Sequence, residues 1–361
     1  MKKFFQNSLY DLEPYIPGEQ PGISKKIIKL NTNENPYPPS PKIKNAINQI
    51  IKKGFLRRYP NPSSEDLRKA IAQIHDISPE NVLVTNGSDE GLALLFKAVL
   101  SSKSKVIVPY PTYSLYPVLT EIQMNSTSIE KIPLLDDLHF DFKKLKKAKG
   151  ELLAFASPNA PTGILEDENE LLNLISHFSG LVLCDEAYID FSPPGSSLIH
   201  FINKFQNLVV SRTLSKSYSL AGLRVGYLIS NTENIKFLNK LKDSYNLGMI
   251  EQQVAIEAIK DRKYFDKIIR MIIKSRNYLS NELTKMLFIV TKSETNFLFV
   301  KPPLNVNPLK LFEYLRKKNI FIRYFKDDIC KHYIRITVGT QKENKILIKE
   351  IQNYLLKKND L

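Results

Sequence analysis

Six short, uninterrupted apolar runs, separated by segments with helical periodicity, constrain the fold of this 361-residue chain most strongly. The runs are residues 82–84, 106–108, 152–155, 181–183, 208–210 and 227–229. Apolar strands that alternate with helices are typical of a mostly parallel sheet covered by helices on both faces. In such a sheet, ligands bind beyond the carboxyl ends of the strands. The chain is therefore predicted to be an α/β protein whose functional groups follow these runs.

A second pattern begins near residue 240, where long charged helices replace the alternation. The predicted elements there are helices at residues 251–261, 264–287 and 309–318 and strands at 296–300 and 333–336. The start of the chain is rich in proline, asparagine and tyrosine and has little periodicity, which predicts an extended arm. The expected organisation is an arm (1–40) that joins a small α+β domain (246–361), with a large domain (41–245) between them.

Composition narrows the class of protein. No apolar stretch approaches the roughly 20 residues that span a bilayer, and residues 1–7 lack the apolar run of a secretory signal. Two cysteines, Cys184 and Cys330, are too few for a disulfide framework, so a cytoplasmic location is expected. The net charge is +15, but the lysines are scattered. This favours anionic substrates such as phosphates and dicarboxylates, and no nucleic-acid or membrane partner is expected.

The run at 208–210 is followed by a lysine whose neighbours in sequence could bind a phosphate. Thr213 and Ser215 precede Lys216, and Arg224 lies eight residues after it. A lysine amine for the aldehyde, with hydroxyls and an arginine for the phosphate, is the set that pyridoxal phosphate requires. A lysine after a strand is more often a surface residue, so the interpretation depends on the accompanying groups.

Asp185 ends another buried run and needs a partner, because an unpaired carboxylate there costs roughly several kcal/mol. A protonated pyridine nitrogen would be such a partner, and Tyr188 could donate to the phenolic oxygen of the same ring. A structural ion pair or a metal site is the alternative, although no histidine lies near in sequence and no metal is expected.

A glycine-containing turn, residues 86–90, opens an amphipathic helix after the run at 82–84. Free backbone N–H groups and the positive end of a helix suit a phosphate. Ser88 and Asp89 are equally good helix caps, so helix capping alone would also explain them.

Together these segments resemble the class I/II aminotransferases of the fold-type I pyridoxal-phosphate enzymes and, more narrowly, the histidinol-phosphate aminotransferase family. The matching segments are 14–18, 30–36, 58–60, 87–90, 111–113, 158–163, 185–188, 211–224 and 335–339. The resemblance implies a large domain with a mostly parallel seven-stranded sheet between helices, plus a smaller α+β domain. It also implies a homodimeric transferase of histidine biosynthesis that exchanges an amino group between L-histidinol phosphate and 2-oxoglutarate, giving imidazole-acetol phosphate and L-glutamate.

The resemblance further assigns roles to individual residues. Catalysis falls to Lys216, Asp185 and Tyr188. The other implied cofactor contacts are Ser88, Asp89, Glu90, Tyr113 stacked on the ring, Asn159, Thr213, Ser215, Arg224 and, from the neighbouring subunit, Tyr59. The implied substrate contacts are Tyr15, Asn33, Arg323 and Arg335. One position departs from the superfamily, because Ala160 stands where asparagine is usual before Pro-Thr-Gly, and Asn159 is the candidate substitute.

Other functions remain open at this point. Aromatic aminotransferases and phosphothreonine decarboxylases share nearly all the cofactor residues, and the sequence does not fix the preferred substrate. The +15 charge also prompts comparison with pyridoxal-phosphate-dependent transcription regulators. The roughly 40 proline-rich residues before the scaffold are too few for a DNA-binding module.

Overall fold

The computed structural model describes residues 4, 10, 12, 14–22, 27–123 and 128–359. Most of the segment 1–7, on which the expectation about a secretory signal depends, lies outside these residues. The strands are β1 (Ile28–Lys29), β2 (Val82–Asn86), β3 (Lys105–Tyr110), β4 (Ser128–Pro133), β5 (Leu152–Ala156), β6 (Leu181–Asp185), β7 (Leu208–Thr213), β8 (Val225–Ser230), β9 (Ile289–Val290), β10 (Phe297–Lys301), β11 (Ile320–Phe321), β12 (Arg323–Tyr324) and β13 (Ile334–Thr337). The helices are α1 (Ile43–Lys52), α2 (Glu65–His75), α3 (Gly87–Val99), α4 (Leu115–Gln123), α5 (Phe142–Leu145), α6 (Glu168–His177), α7 (Thr232–Asn239), α8 (Met249–Lys260), α9 (Arg262–Lys285), α10 (Pro308–Lys317) and α11 (Gln341–Asn359).

The large sheet has seven strands in the order β2-β8-β7-β6-β5-β3-β4. Strand β8 is antiparallel to β2 and β7, and the other neighbouring pairs are parallel. All six predicted apolar runs lie in these strands, which confirms the mostly parallel sheet. Strand β4 was not predicted because it is an edge strand, and its sequence contains no run of three apolar residues.

Two apolar cores cover the faces of this sheet, as the unbroken apolar runs predicted. Strand β5 shows the arrangement, since successive side chains in a strand point to opposite faces. Leu153 and Phe155 belong to one core, and Leu152 and Ala154 belong to the other. Burying each leucine or phenylalanine contributes about 1.5–3 kcal/mol, so both faces stabilise the sheet.

The C-terminal part forms a second, antiparallel sheet in the order β12-β13-β10-β9. The predicted helices and strands of this part match α8, α9, α10, β10 and β13 within two residues at each end. Strand β1 pairs in parallel with β11, so residues 28–29 contact the C-terminal part. The first residues of α9, such as Ile268, pack in the large core, whereas Leu279 packs in the small one. Packing therefore divides inside α9 and not at the predicted boundary of 245, because α8 is charged only on its outer face.

The topology brings the chemistry-bearing segments to one edge of the large sheet. Strands β2, β6 and β7 point the same way, so Asn86, Asp185 and Thr213 end at that edge. Among the described helices, none is long and apolar enough to cross a membrane.

Candidate active site

A cavity of about 580 Å³ opens at this edge, between the large sheet and the C-terminal part. Most of the residues singled out from sequence line it, namely Tyr15, Asn33, Ser88, Asp89, Tyr113, Asp185, Tyr188, Thr213, Ser215, Lys216, Arg224, Arg323 and Arg335. Three predicted contacts do not line it, namely Tyr59, Glu90 and Asn159. The cavity thus gathers groups that lie up to 320 residues apart in the sequence.

Asp185 is a buried carboxyl with neutral hydrogen-bond partners. Tyr116 Oη donates to it at 3.2 Å, and the Ala187 N–H donates at 3.2 Å. Burial raises the pKa of Asp185 to about 7, although these two hydrogen bonds oppose the rise. A cationic partner inside the cavity would therefore be strongly favoured beside it.

This carboxyl makes the stability of the cofactor-free protein depend on pH. Its pKa rises from 3.8 when unfolded to about 7 when folded, so the folded state binds more protons between these values. Stability should therefore fall as the pH rises from about 4 to 7. Asp185→Asn removes the free-energy cost of ionising this buried carboxyl. The melting temperature of the Asp185→Asn apoprotein should therefore exceed that of wild type by several degrees at pH 8 and by much less at pH 5.

Thermal melts of the two apoproteins across this pH range check the prediction. The exposed Asp243→Asn is the matched control and should follow wild type throughout. A constant offset between Asp185→Asn and wild type, independent of pH, would contradict it.

The opposite end of the cavity suits a phosphate. Helix α3 begins there at Gly87, which has a φ of +75° and whose lack of a Cβ leaves room for the guanidinium of Arg224. Arg224 lies 3.5 Å from Ser215 Oγ and 3.0 Å from the carboxylate of Asp89. Thr213 Oγ1 donates to Ser215 Oγ at 3.0 Å. Hydroxyls, a helix N-terminus and a guanidinium together form an anion site.

Lys216 is fixed in place through its backbone. Asn35 Nδ2 donates to the carbonyl oxygens of Lys216 and Ser217, at 3.0 and 3.2 Å. Ser217 Oγ donates to Asp190, which also pairs with the buried Arg212. The amine of Lys216 donates to the Thr32 carbonyl at 3.3 Å. The loop is therefore anchored at the lysine carbonyl and at the residue after it, while the lysine amine lines the cavity.

Aromatic side chains form the walls beside the lysine. The ring of Tyr188 lies 5.8 Å from Lys216 Nζ and packs edge-on against Phe297. Tyr113 meets Tyr15 edge-on, with ring centroids 6.1 Å apart. Burial raises the pKa of Tyr113 well above its ordinary value, so this phenol stays neutral.

Arg335 is a cation without an acidic partner among the described residues. Its Nη2 donates to the Asn31 carbonyl at 3.2 Å, and its Nε makes no hydrogen bond. Burial lowers the pKa of Arg335, because desolvation disfavours the charged guanidinium. Arg323 likewise has no acidic partner among the described residues; it donates to the Ile16 carbonyl at 3.5 Å and lies 5.4 Å from the centroid of the Phe325 ring. Two unpaired guanidiniums facing a cavity are suited to bind an anion.

Three predicted residues lie elsewhere, each for a physical reason. The Glu90 side chain turns back to the Asn86 N–H and accepts from Asn246 at 2.9 Å, so it caps helix α3. Asn159 is buried, and its amide donates to Thr162 Oγ1 at 3.0 Å. Ala160 lines the cavity in its stead, so the structure does not support Asn159 as a ring contact.

Tyr59 is 78% exposed and stacks on Tyr245, with ring centroids 4.4 Å apart. It lies outside the cavity of its own chain. Its role toward a neighbouring subunit therefore stays a prediction.

Sequence reasoning missed two supporting residues. Tyr116 holds the Asp185 carboxyl, and Asn35 holds the Lys216 loop. Tyr116 gave little signal, because Tyr113 lies before helix α4 and the two tyrosines share no helix face. Asn35 belongs to the matching segment 30–36, but residue spacing does not indicate its contact, which is 181 residues away.

The cavity fits pyridoxal phosphate on the chemistry of its donors. The buried Asp185 carboxyl has neutral partners and suits a protonated ring nitrogen. The end at α3 suits a phosphate, and the amine of Lys216 suits an aldehyde. A hydroxyl in the cavity wall, Thr112 Oγ1, is buried without a partner and is free to bond a ligand. Among the described residues, no cluster of three or more histidine, cysteine, aspartate or glutamate side chains could hold a metal ion.

Comparison with known proteins agrees with this geometry. The sequence model of the family described as aminotransferase class I and II matches residues 25–351. The chain belongs to the class I and II aminotransferases. A histidinol-phosphate aminotransferase of Clostridium botulinum is 39% identical over 99% of this chain and 100% of its own length. One from Brachyspira hyodysenteriae is 40% identical, covering 99% of this chain and all of the relative.

Solved aminotransferase structures share the fold. The histidinol-phosphate aminotransferase from Sinorhizobium meliloti, in complex with pyridoxal-5'-phosphate, superposes with a TM-score of 0.87 at 22% identity, covering 98% of this chain and 99% of that one. The enzyme from Clostridium acetobutylicum gives 0.85 at 22% identity, covering 93% and 100%. These matches confirm the predicted fold class.

Proposed function

We propose that this class I and II aminotransferase carries out the reaction named by its relatives, the exchange of an amino group between L-histidinol phosphate and 2-oxoglutarate in histidine biosynthesis. The observation that carries the proposal is one cavity holding Lys216, Asp185 and two unpaired arginines, in a chain 39–40% identical to histidinol-phosphate aminotransferases over its full length. The two arginines suit both amino donors, since glutamate carries carboxylates and histidinol phosphate carries a phosphate.

Pyridoxal phosphate is the cofactor of this proposal. When bound, it supplies an aldehyde that takes up the amino group and a protonated ring that delocalises electrons from the substrate α-carbon. Ser215, Thr213, Arg224 and the start of α3 would hold its phosphate. Tyr113 would lie on its ring, and Asp185 would accept from the ring N–H, which keeps that nitrogen protonated.

The chain's own groups then handle the protons and the substrate anion. Arg335, assisted by Arg323, binds the carboxylate of glutamate or the phosphate of histidinol phosphate and so orients the α-carbon. The amine of Lys216 would take the α-proton from the substrate and deliver it to the cofactor carbon that had carried the aldehyde. Tyr188 Oη would donate a hydrogen bond toward the phenolic oxygen of the ring. The walls formed by Tyr15 and Tyr113 exclude water from these transfers.

A half-reaction survey tests the proposal. Stoichiometric cofactor-loaded enzyme is mixed separately with glutamate, L-histidinol phosphate, phenylalanine and phosphothreonine. We expect one equivalent of keto product per active site from the first two, with kcat/KM highest for histidinol phosphate. A higher kcat/KM for phenylalanine would favour an aromatic aminotransferase. Release of carbon dioxide from phosphothreonine, with no need for a keto acid, would favour a decarboxylase.

The proposal includes a homodimer with shared sites. The support is that Tyr59 is exposed and outside its own cavity, on a surface where Leu56 and Tyr245 are also exposed. A tyrosine so placed is free to reach a neighbouring subunit's cofactor phosphate. Sedimentation as a monomer at assay concentration, with full activity, would contradict this. The cytoplasmic location also belongs to the proposal, supported by two buried free cysteines and checked by cell fractionation.

A further inference from the structure

Asn33 stands in a backbone conformation that few residues tolerate. Its φ is +56°, and the residue is 1% exposed. Asparagine enters this left-handed region more readily than most side chains, but glycine enters it more readily still. The backbone therefore explains why the position needs a permissive residue. It does not explain why a buried side-chain amide is present.

Two hydrogen bonds to Thr337 fix which way this amide points. The Asn33 N–H donates to Thr337 Oγ1 at 3.0 Å, so the hydroxyl accepts there. The same hydroxyl donates its one proton to Asn33 Oδ1 at 3.0 Å. Thr337 Oγ1 makes no other hydrogen bond among the described residues, so donation to Oδ1 is what satisfies its proton, and Nδ2 is then the end that faces away.

The outward end of the amide meets Tyr188. Asn33 Nδ2 lies 2.9 Å from Tyr188 Oη. An amide NH₂ group can only donate, so Tyr188 Oη accepts this hydrogen bond. The phenol's own proton is therefore turned away from Asn33. Tyr188 lines the cavity, so the cavity is where that proton can be donated.

We propose that Asn33 is a positioning residue that keeps Tyr188 a hydrogen-bond donor toward the cofactor's phenolic oxygen. The inference rests on the proposed function, because it requires the cofactor in this cavity. It gains weight from Ala160, whose side chain offers no hydrogen bond where the superfamily usually supplies one. Tyr188 is then the side chain on which donation to that oxygen depends.

The arrangement links two segments that are far apart in sequence. Asn33 and Thr337 are separated by 304 residues, and Thr337 ends strand β13 of the second sheet. The Asn33 carbonyl also accepts from Asn296 Nδ2 at 3.0 Å, beside strand β10. The antiparallel sheet, through Thr337 and Asn33, thus sets the direction in which the Tyr188 hydroxyl proton points. The cavity itself lies mainly at the edge of the seven-stranded sheet.

Other ionisable groups face Tyr188 and would also influence the ring oxygen. They are Lys216, 5.8 Å from the Tyr188 ring, and the side chains of Arg335, Tyr15 and Tyr113. A test of Asn33 must therefore separate its hydrogen bond from a simple change of charge.

Asn33→Asp is the decisive variant because it keeps the shape and replaces the donor by an acceptor. The Tyr188 proton should then turn toward residue 33, and the cofactor's phenolic oxygen should lose its donor. The measurement is the pH at which the absorbance of the cofactor-loaded protein changes, without substrate. We expect it to rise by about one unit, a tenfold change in the proton equilibrium. Asn33→Gly, which keeps the backbone conformation, should shift it by less than half as much.

Two further variants keep the test conclusive. In a Tyr188→Phe background, Asn33→Asp should cause almost no additional shift, since the effect acts through the phenol. Thr337→Val, which releases the amide, should shift the titration in the same direction if Asn33→Asp does not fold. The proposal is overturned if Asn33→Asp titrates like wild type, or if most of its shift persists without the Tyr188 hydroxyl. Glutamate conversion by the same wild-type sample tests the proposed function separately, because the titration needs no substrate.

Discussion

Replacing Lys216 with alanine is expected to lower kcat for amino transfer by about 10⁴-fold. The loop around it is anchored by Asn35, and its amine is aimed into the cavity beside Tyr188. Among the described residues that line the cavity, the arginines stay protonated and Lys131 lies over the ring of Tyr110, so we expect no equivalent base to reach the substrate α-carbon. Release of 2-oxoglutarate from glutamate in a single turnover measures the loss.

Lys131 provides the matched control, because it also lines the cavity but lies 5.0 Å over the ring of Tyr110. Lys131→Ala should keep kcat within a few-fold of wild type. Adding a small primary amine to Lys216→Ala should restore part of the rate, since the missing group is a base. Near wild-type turnover by Lys216→Ala without added amine would refute the assigned role.

Much of the fold could be predicted because the apolar pattern of a buried parallel strand is unambiguous. Residues 208–210 have no polar face, so β7 had to be covered on both sides, and all its residues are buried. Strand β4 was missed because an edge strand needs no such run. The predicted boundary after residue 245 relied on charge, whereas the change from one core to the other lies inside α9. Charge marks the exposed face of a helix, whereas membership of a core depends on the buried face.

The location of a site residue could be predicted where the residue type and its position relative to a strand were informative. Asp185 ends one strand and Lys216 follows another, so their place at the edge of the sheet follows from the strand pattern, although Tyr116 and Asn35 hold them there. Residues whose role is a long-range hydrogen bond gave weaker signals. Asn33 was assigned to the substrate, but its amide is occupied by Tyr188 and Thr337. Glu90 fits a motif of cofactor contacts, yet its side chain caps its own helix. Such contacts depend on side-chain direction, which residue spacing does not determine.

Replacing Arg335 with methionine should separate substrate binding from stability. The guanidinium is expected to make two charge-assisted hydrogen bonds to a substrate anion, each worth about 2 kcal/mol, so kcat/KM should fall about 10³-fold. The loss should be similar for glutamate and histidinol phosphate because one group serves both anions. Most of it should appear in KM, and initial rates with each substrate measure it.

The same change should leave the apoprotein as stable as wild type or more so, since it removes a desolvated charge that no acid balances. Arg276 is the matched contrast, because this buried arginine pairs with Glu294 at 2.7 Å and donates to the Thr295 carbonyl at 3.0 Å. Arg276→Met would leave that acid unpaired and should lower the free energy of unfolding by about 3–5 kcal/mol. If Arg335→Met instead unfolded as readily as Arg276→Met, the role of the guanidinium would be to stabilise the fold. Its lack of an acidic partner would then say nothing about the substrate.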